Sequence, residues 1–418
     1  MAIGIPSAAQ QLSGHIAPPE PDLTVDELLH RADAMRPLLR ERQAECEKLG
    51  ELPADTNNRF LAAGFYRIVQ PRIFGGYEFA LPDFIRVMIA IARGCSDSAW
   101  VLALTSGHAV LAAQLPENAQ RDVFGLKGDF RAPGVGMPNG IGIPVDGGIR
   151  VNGAWDYASG CDLATHFFGS TMVRDPETNT LLGNAWILFD RDQFKIVDNW
   201  SVFGMQGTGS RRVVIEDAFV SADRALWMSD SAGRPVRDQP GHALHPDPMY
   251  HGWLAPLLIS EVAAVSIGTA RGALDIYQEI LQNKKTNFPP FHSRSQETEF
   301  QQHFGEAQSL IDTAEAAILK MTADYMDLAR HHVETRTPLG DEMERRFILI
   351  EQQVIRLTWE AVELMFRTSG TSAAAKSSPL GRALRNLAVI RTHVTLQLDH
   401  TATNAGRLHF GLPPLSRF

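Results

Sequence analysis

Asp146-Gly-Gly-Ile-Arg-Val-Asn-Gly-Ala-Trp-Asp-Tyr157 reads as a turn that opens directly into a strand. Asp-Gly supplies the positive backbone angles of a tight hairpin turn, which sets a strand at Gly148–Tyr157. The surrounding stretch, about 129–230, is punctuated by Gly and Pro and carries β-branched and aromatic runs. Further strands are expected at His166–Val173, Ala185–Phe189 and Arg212–Val220, with Arg174-Asp-Pro-Glu-Thr-Asn179 as a connection.

On the N-terminal side, 24–128 has helical periodicity. Thr24 and Glu27 form a capping-box signature that opens an amphipathic segment running to Leu49. Helical spacing continues through Asp55–Ala63, Pro82–Gly94 and Ser96–Gln114, and a short helix follows Pro116. On the C-terminal side, Phe347, Ile350, Val354, Leu357, Ala361 and Leu364 step by three and four, a core-facing stripe. Long helices over about 252–284, 295–333, 341–368 and 379–405 predict a bundle. The expected organisation is an arm at 1–23, a helical domain at 24–128, a β domain at 129–230, a surface connection at 231–251 and a helical bundle at 252–418. The chain is therefore mainly α with a central β domain.

The formal net charge is -9 and no basic stripe stands out, which argues against nucleic acid as a partner. Cys46, Cys95 and Cys161 are few and far apart in sequence, giving neither a disulfide framework nor a zinc motif. A reducing, cytoplasmic setting follows. Met1–Asp22 lacks the charged and apolar regions of a signal peptide, and no apolar run is expected to approach membrane-spanning length. His242, His245, His251 and Asp247 match no metal-site spacing, and no Glu-x-x-His pair occurs in the bundle. A Gly-x-Gly-x-x-Gly after a strand is also missing, so hydride from a nicotinamide is not expected to be handled on this chain.

Four segments, in order, carry a resemblance. They are Phe74-Gly-Gly-Tyr-Glu78 after Arg72; Ser96-Asp-Ser-Ala-Trp100 leading to His108; Val151-Asn-Gly-Ala-Trp-Asp-Tyr-Ala-Ser-Gly160; and Gly204-Met-Gln-Gly-Thr-Gly-Ser210. Together with the helix–β–helix order they resemble the oxygenase components of two-component flavin-dependent monooxygenases. That group includes p-hydroxyphenylacetate, secosteroid-phenol and dibenzothiophene oxygenases, and its fold is that of the acyl-CoA dehydrogenases. The likeness runs from about residue 24 to about 405.

The resemblance implies a cofactor of reduced FMN (FMNH2) or FADH2, delivered by a separate flavin reductase, with O2 as co-substrate. It also implies a C4a-hydroperoxyflavin as oxygen donor, a small aromatic and most simply phenolic substrate, and a homotetramer. Tyr157 matches a flavin-stacking Trp, and Ser159 matches a hydroxyl at flavin N5. Trp100 and His108 keep the family's eight-residue spacing near the flavin. Gly207, Thr208, Gly209 and Ser210 match a turn lying against the flavin, and such turns offer N–H and hydroxyl donors. Arg271 and Lys285 match phosphate-binding cations, with Arg294 close by.

His393, in Leu380-Gly-Arg-Ala-Leu-Arg-Asn-Leu-Ala-Val-Ile-Arg-Thr-His393, stands where acyl-CoA dehydrogenases carry a catalytic glutamate. An imidazole of ordinary pKa is suited to deprotonating a phenol near neutrality. N- or S-oxygenation, with His393 as proton donor, is an alternative on the same fold. A true FAD-dependent acyl-CoA dehydrogenase would need a carboxylate such as Glu363 instead. Asn386 replaces a usual Asp after Arg385, and Pro133-Gly134 replaces a serine found in some relatives.

Overall fold

The structure is a computed structural model that describes residues 16–125 and 127–415. The arm expected at 1–23 lies outside the described residues as far as residue 15. From Ile16 the chain lies along the 73–74 segment, Ile16 N–H donating to Ile73 O.

Among the described residues seven helices precede the sheet: α1 (Val25–Glu41), α2 (Gln43–Leu49), α3 (Ala54–Ala62), α4 (Leu81–Gly94), α5 (Ser96–Gly107), α6 (Ala109–Ala112) and α7 (Glu117–Phe124). Only half of the capping box forms: Thr24 Oγ1 accepts from Glu27 N, but the Glu27 carboxylate turns to Arg31. The segment expected to run unbroken to Leu49 divides at Arg42 into α1 and α2.

Seven strands follow: β1 (Gly134–Val145), β2 (Gly148–Ala158), β3 (His166–Arg174), β4 (Leu181–Asp190), β5 (Lys195–Val197), β6 (Arg211–Ser221) and β7 (Ala225–Asp230). They form one sheet in the order β5-β6-β2-β1-β3-β4-β7, with only β1 and β3 parallel. Asp146-Gly147 does turn the chain, and Val145 faces Gly148 across the hairpin. Gly147 there has a φ of +73°, a conformation that costs glycine little. Strands β1, β5 and β7 were not legible in the sequence. In β1 the Gly and Pro content masks a strand that the antiparallel ladder to β2 enforces. The sheet wraps around Trp155, fully buried among Phe167, Phe189 and the glycines of neighbouring strands. A Cβ at Gly153 or Gly169 would collide with that indole.

The last helices are α8 (Leu254–Asn283), α9 (Thr298–Thr335), α10 (Asp341–Thr368), α11 (Pro379–Ile390) and α12 (Leu398–His409). The single helix expected over 379–405 is broken at 391–397, and that break carries His393. Helix α8 is long and apolar enough to cross a membrane, contrary to the sequence reading. However, 83% of its most apolar window is buried, against α4, α5, α9, α10 and α11. It is the shared spine of one apolar core that joins the N-terminal helices to the bundle. The sheet docks on this body through Phe74, Phe124, Phe130, Phe168 and Leu188. The Phe74-Gly-Gly-Tyr-Glu78 motif therefore serves packing: Phe74 stacks on Phe124 at 5.0 Å, and a Cβ at Gly76 would collide with the Gln70 carbonyl. The 231–251 stretch is not merely a surface connection either, because His245, Met249, Tyr250 and His251 are all buried.

Candidate active site

Helix α5 presents Trp100 to the end of β2. The indole Nε1–H donates to Ser159 Oγ at 2.9 Å. Ser159 Oγ lies 2.7 Å from Ser210 Oγ, and Ser210 Oγ lies 2.6 Å from Thr208 Oγ1. Thr208 Oγ1–H donates to Met205 O at 2.8 Å. All four side chains are buried. The His393 ring stands edge-on to Trp100, 6.0 Å between centroids. Trp100, Ser159, Thr208, Ser210 and His393 are thus brought together from α5, β2, the 204–210 turn and the α11–α12 break.

Tyr157 sits next to this cluster at a φ of +67°, where the β2–β6 register slips. Its ring is 70% exposed and edge-on to Trp200. An aromatic face held outward beside a hydroxyl in this way suits a planar heterocycle. Phe203, 64% exposed just ahead of the turn, adds a second apolar face.

Three N–H groups of the 204–210 turn, those of Met205, Gly207 and Thr208, are spent inward. Gly207 N–H donates to Asp97 Oδ1 at 3.2 Å, and Thr208 N–H to Met205 O. Cys46 Sγ–H donates to Gly207 O, and a Cβ at Gly207 would collide with that sulfur. Gly209, at a φ of +53°, abuts the Asp162 carboxylate. These contacts with Asp97 and Cys46 brace the turn from behind.

Asp97, Asn386 and Cys46 are the bracing residues that sequence reasoning missed. Asp97 lies three residues before Trp100, one helical turn, which was the available signal. Burial, foremost, with the nearby Glu47 charge, pushes its carboxyl up to about 6. Asn386 Oδ1 accepts from Met205 N, so the asparagine that departs from the family's aspartate has a job on the turn. Cys46, Cys95 and Asp97 place two sulfurs and a carboxylate oxygen within 4.8 Å of one another, although the cysteines are far apart in sequence.

His108 caps α5 and points elsewhere. Its Nδ1–H donates to Ala132 O at 2.7 Å, and its ring is edge-on to Phe168 and Trp186. Burial holds its pKa down at about 4, so the ring is neutral near pH 7 and Nε2 is left as an acceptor. Among the described residues no contact joins His108 to the Trp100 cluster. Eight residues along one helix gave these two side chains different neighbours. Gly134 makes room for His108: a Cβ there would lie 2.9 Å from both the His108 and Trp186 rings.

His393 Nδ1 lies 2.8 Å from Thr395 Oγ1, and partial burial lowers its pKa. Lys285 is exposed. Arg271 does not offer a free charge for phosphate, because Asp312 and Glu315 each hold its guanidinium at 2.6 Å. Arg294 is buried, donating to Ser369 O and Lys285 O. Glu363 pairs with Arg367 one turn along α10, and among the described residues no carboxylate is hydrogen-bonded to Trp100, Ser159 or His393.

Residues 260–398 match the family model described as acyl-CoA dehydrogenase, C-terminal domain. The oxygenase subunit HsaA of a flavin-dependent monooxygenase from Rhodococcus jostii is 30% identical, covering 92% of this chain and 98% of its own. The oxygenase component of an FADH2-dependent resorcinol hydroxylase from Rhizobium sp. is 26% identical over 94% of this chain and 96% of its own. The crystal structure of 3-HSA hydroxylase from Rhodococcus sp. RHA1 superposes with a TM-score of 0.84 at 29% identity, covering 93% of this chain and 98% of that one. Likeness of this extent, over a shared helix–sheet–bundle architecture, decides the family: the chain is an oxygenase component of the two-component flavin-dependent monooxygenases, built on the acyl-CoA dehydrogenase fold and using reduced flavin and O2.

Proposed function

We propose that reduced flavin and a phenolic substrate meet beside Trp100, with Ser159 facing the flavin and His393 facing the phenol. The observation that carries this is Trp100 itself, which donates to Ser159 and stands against His393. The hydroxylases of resorcinol and of p-hydroxyphenylacetate among the relatives support a phenol.

The residues fit a reduced isoalloxazine. Tyr157 and Phe203 offer apolar faces, and Ser159 Oγ keeps one lone pair outside the contacts described above. When bound, reduced flavin would supply the two electrons that activate O2, one oxygen atom of which goes to the substrate and the other to water. The chain's own part is to hold and shield. Trp100 orients Ser159. The braced turn fixes the wall beside it, and a flavin lying over the exposed Tyr157 and Phe203 would shield the buried Ser159 from water. His393, neutral at pH 7 because burial lowers its pKa, takes the phenol proton and so enriches the ring in electrons. His108 Nε2, the free acceptor of a ring that faces Phe168 and Trp186 rather than Trp100, is the proposed hydrogen-bond partner of oxygen on that separate face.

Lys285, exposed just beyond the end of α8, is the proposed neighbour of the flavin phosphate or ribityl chain. Assembly as a homotetramer through the bundle is part of the same reading, supported by the apolar tail with Phe410, Leu412 and Leu415 exposed. So is a cytoplasmic setting, supported by three free thiols.

The test mixes protein and FMNH2, or FADH2, anaerobically and then adds oxygenated buffer. A near-ultraviolet transient ahead of oxidised flavin is expected, with hydroxylated product when a phenol is present. Immediate return of oxidised flavin with stoichiometric peroxide, for both flavins, would overturn the proposal.

A further inference from the structure

We infer that Thr208 and Ser210 are positioning residues that fix Ser159 as a hydrogen-bond acceptor, and so make the site select reduced over oxidised flavin. The argument is a count of protons. Each hydroxyl has one hydrogen to give. Thr208 gives its hydrogen to Met205 O, a carbonyl that can only accept. The 2.6 Å contact between Ser210 and Thr208 must then be made with the Ser210 proton. The 2.7 Å contact between Ser159 and Ser210 in turn uses the Ser159 proton. At the other end, the Trp100 indole can only donate, and it takes one Ser159 lone pair.

The chain therefore has one direction, from Trp100 to Ser159 to Ser210 to Thr208 to Met205 O. Its members are 8%, 5%, 3% and 1% exposed in order from Trp100 to Thr208, so water is poorly placed to substitute for a missing link. Ser159 has no proton left for a ligand, only one lone pair.

That asymmetry matters at flavin N5. In reduced flavin N5 bears a hydrogen and donates; in oxidised flavin N5 is an acceptor. A Ser159 locked as acceptor is matched to the first and opposes a lone pair of the second. Discrimination is useful where flavin arrives by diffusion and the oxidised form competes. The inference rests on the reading that Ser159 faces N5, and the test separates the two.

Anaerobic titrations would measure the dissociation constants of oxidised and reduced flavin for the wild type, Ser210→Ala, Thr208→Val, Thr208→Ser and Ser159→Ala. The wild type should favour reduced flavin. Ser210→Ala and Thr208→Val free a proton and should shrink the ratio of the two constants about tenfold, the equivalent of one hydrogen bond. The midpoint potential of bound flavin should shift with it, by about 30 mV. Thr208→Ser keeps the hydroxyl and should keep the wild-type ratio. Should Ser210→Ala or Thr208→Val weaken both forms equally, as loosening of the turn would, the directional role is overturned although Ser159 still binds flavin. A Ser159→Ala protein with both constants unchanged would overturn the flavin reading itself, and this inference with it.

Discussion

Asn386 Oδ1 accepts a 2.7 Å hydrogen bond from the backbone N–H of Met205, which sits at a φ of +56°. One side chain on α11 thereby holds a strained residue at the head of the turn that carries Thr208 and Ser210. A non-glycine residue in the left-handed region costs of order 1 kcal/mol and persists only where its surroundings impose it.

Asn386→Ala removes that restraint and leaves a buried N–H unpartnered. A loss of about 1–3 kcal/mol is expected, measurable as a lower urea midpoint at unchanged slope. Flavin affinity should fall as well, because the turn beneath Ser210 loosens.

Asp97 gives the fold a pH dependence. Its carboxyl, near 3.8 when unfolded, is pushed up to about 6 in the fold. The native state thus holds the proton more tightly, and stability falls as pH rises from about 4 to about 6. The difference amounts to about 3 kcal/mol above that window. Asp97→Asn keeps an oxygen for Gly207 N–H but has nothing to ionise. Denaturation midpoints should show the variant gaining on the wild type between pH 4 and pH 6; parallel profiles would refute this.

The lowered pKa of His393 fixes the sign of an activity profile. As a base it must be unprotonated, so turnover of a phenol should decline only in acid, through a limb below the ordinary imidazole range near ~6.5. His393→Ala should abolish that limb and lower turnover by roughly 100-fold or more, while flavin binding persists. A limb unchanged in the variant would assign the titration to another group.

Gly134→Ala tests the space left for His108. A methyl 2.9 Å from the His108 and Trp186 rings must displace one of them, at about 1–3 kcal/mol. If His108 moves off Ala132 O, its partner at the oxygen-bearing side is lost. More peroxide per flavin oxidised is then expected, with less product. Coupling equal to the wild type would mean that His108 has no part in holding oxygen.

What the sequence determined by itself was whatever local physics and motif order carry. The 3.6-residue stripes placed the long helices, and Asp146-Gly147 placed a hairpin. Four ordered segments named the family before any coordinate did, and Trp100, Ser159 and His393 were all visible as chemistry-bearing residues. Tertiary structure decided how they meet. It broke the last helix at 391–397, so that His393 turns toward Trp100. It drew β1 into a ladder that its glycines and Pro144 concealed. It sent His108 and Trp100 to separate neighbours and closed Arg271 onto Asp312 and Glu315. It also set Asp97, Cys46 and Asn386 behind the 204–210 turn, from positions up to 340 residues apart. Periodicity records which face of an element is apolar. It does not record which partner fills that face, because packing is settled by contacts between residues remote in sequence, and the donors and acceptors of a buried turn can be counted only once those neighbours are in place.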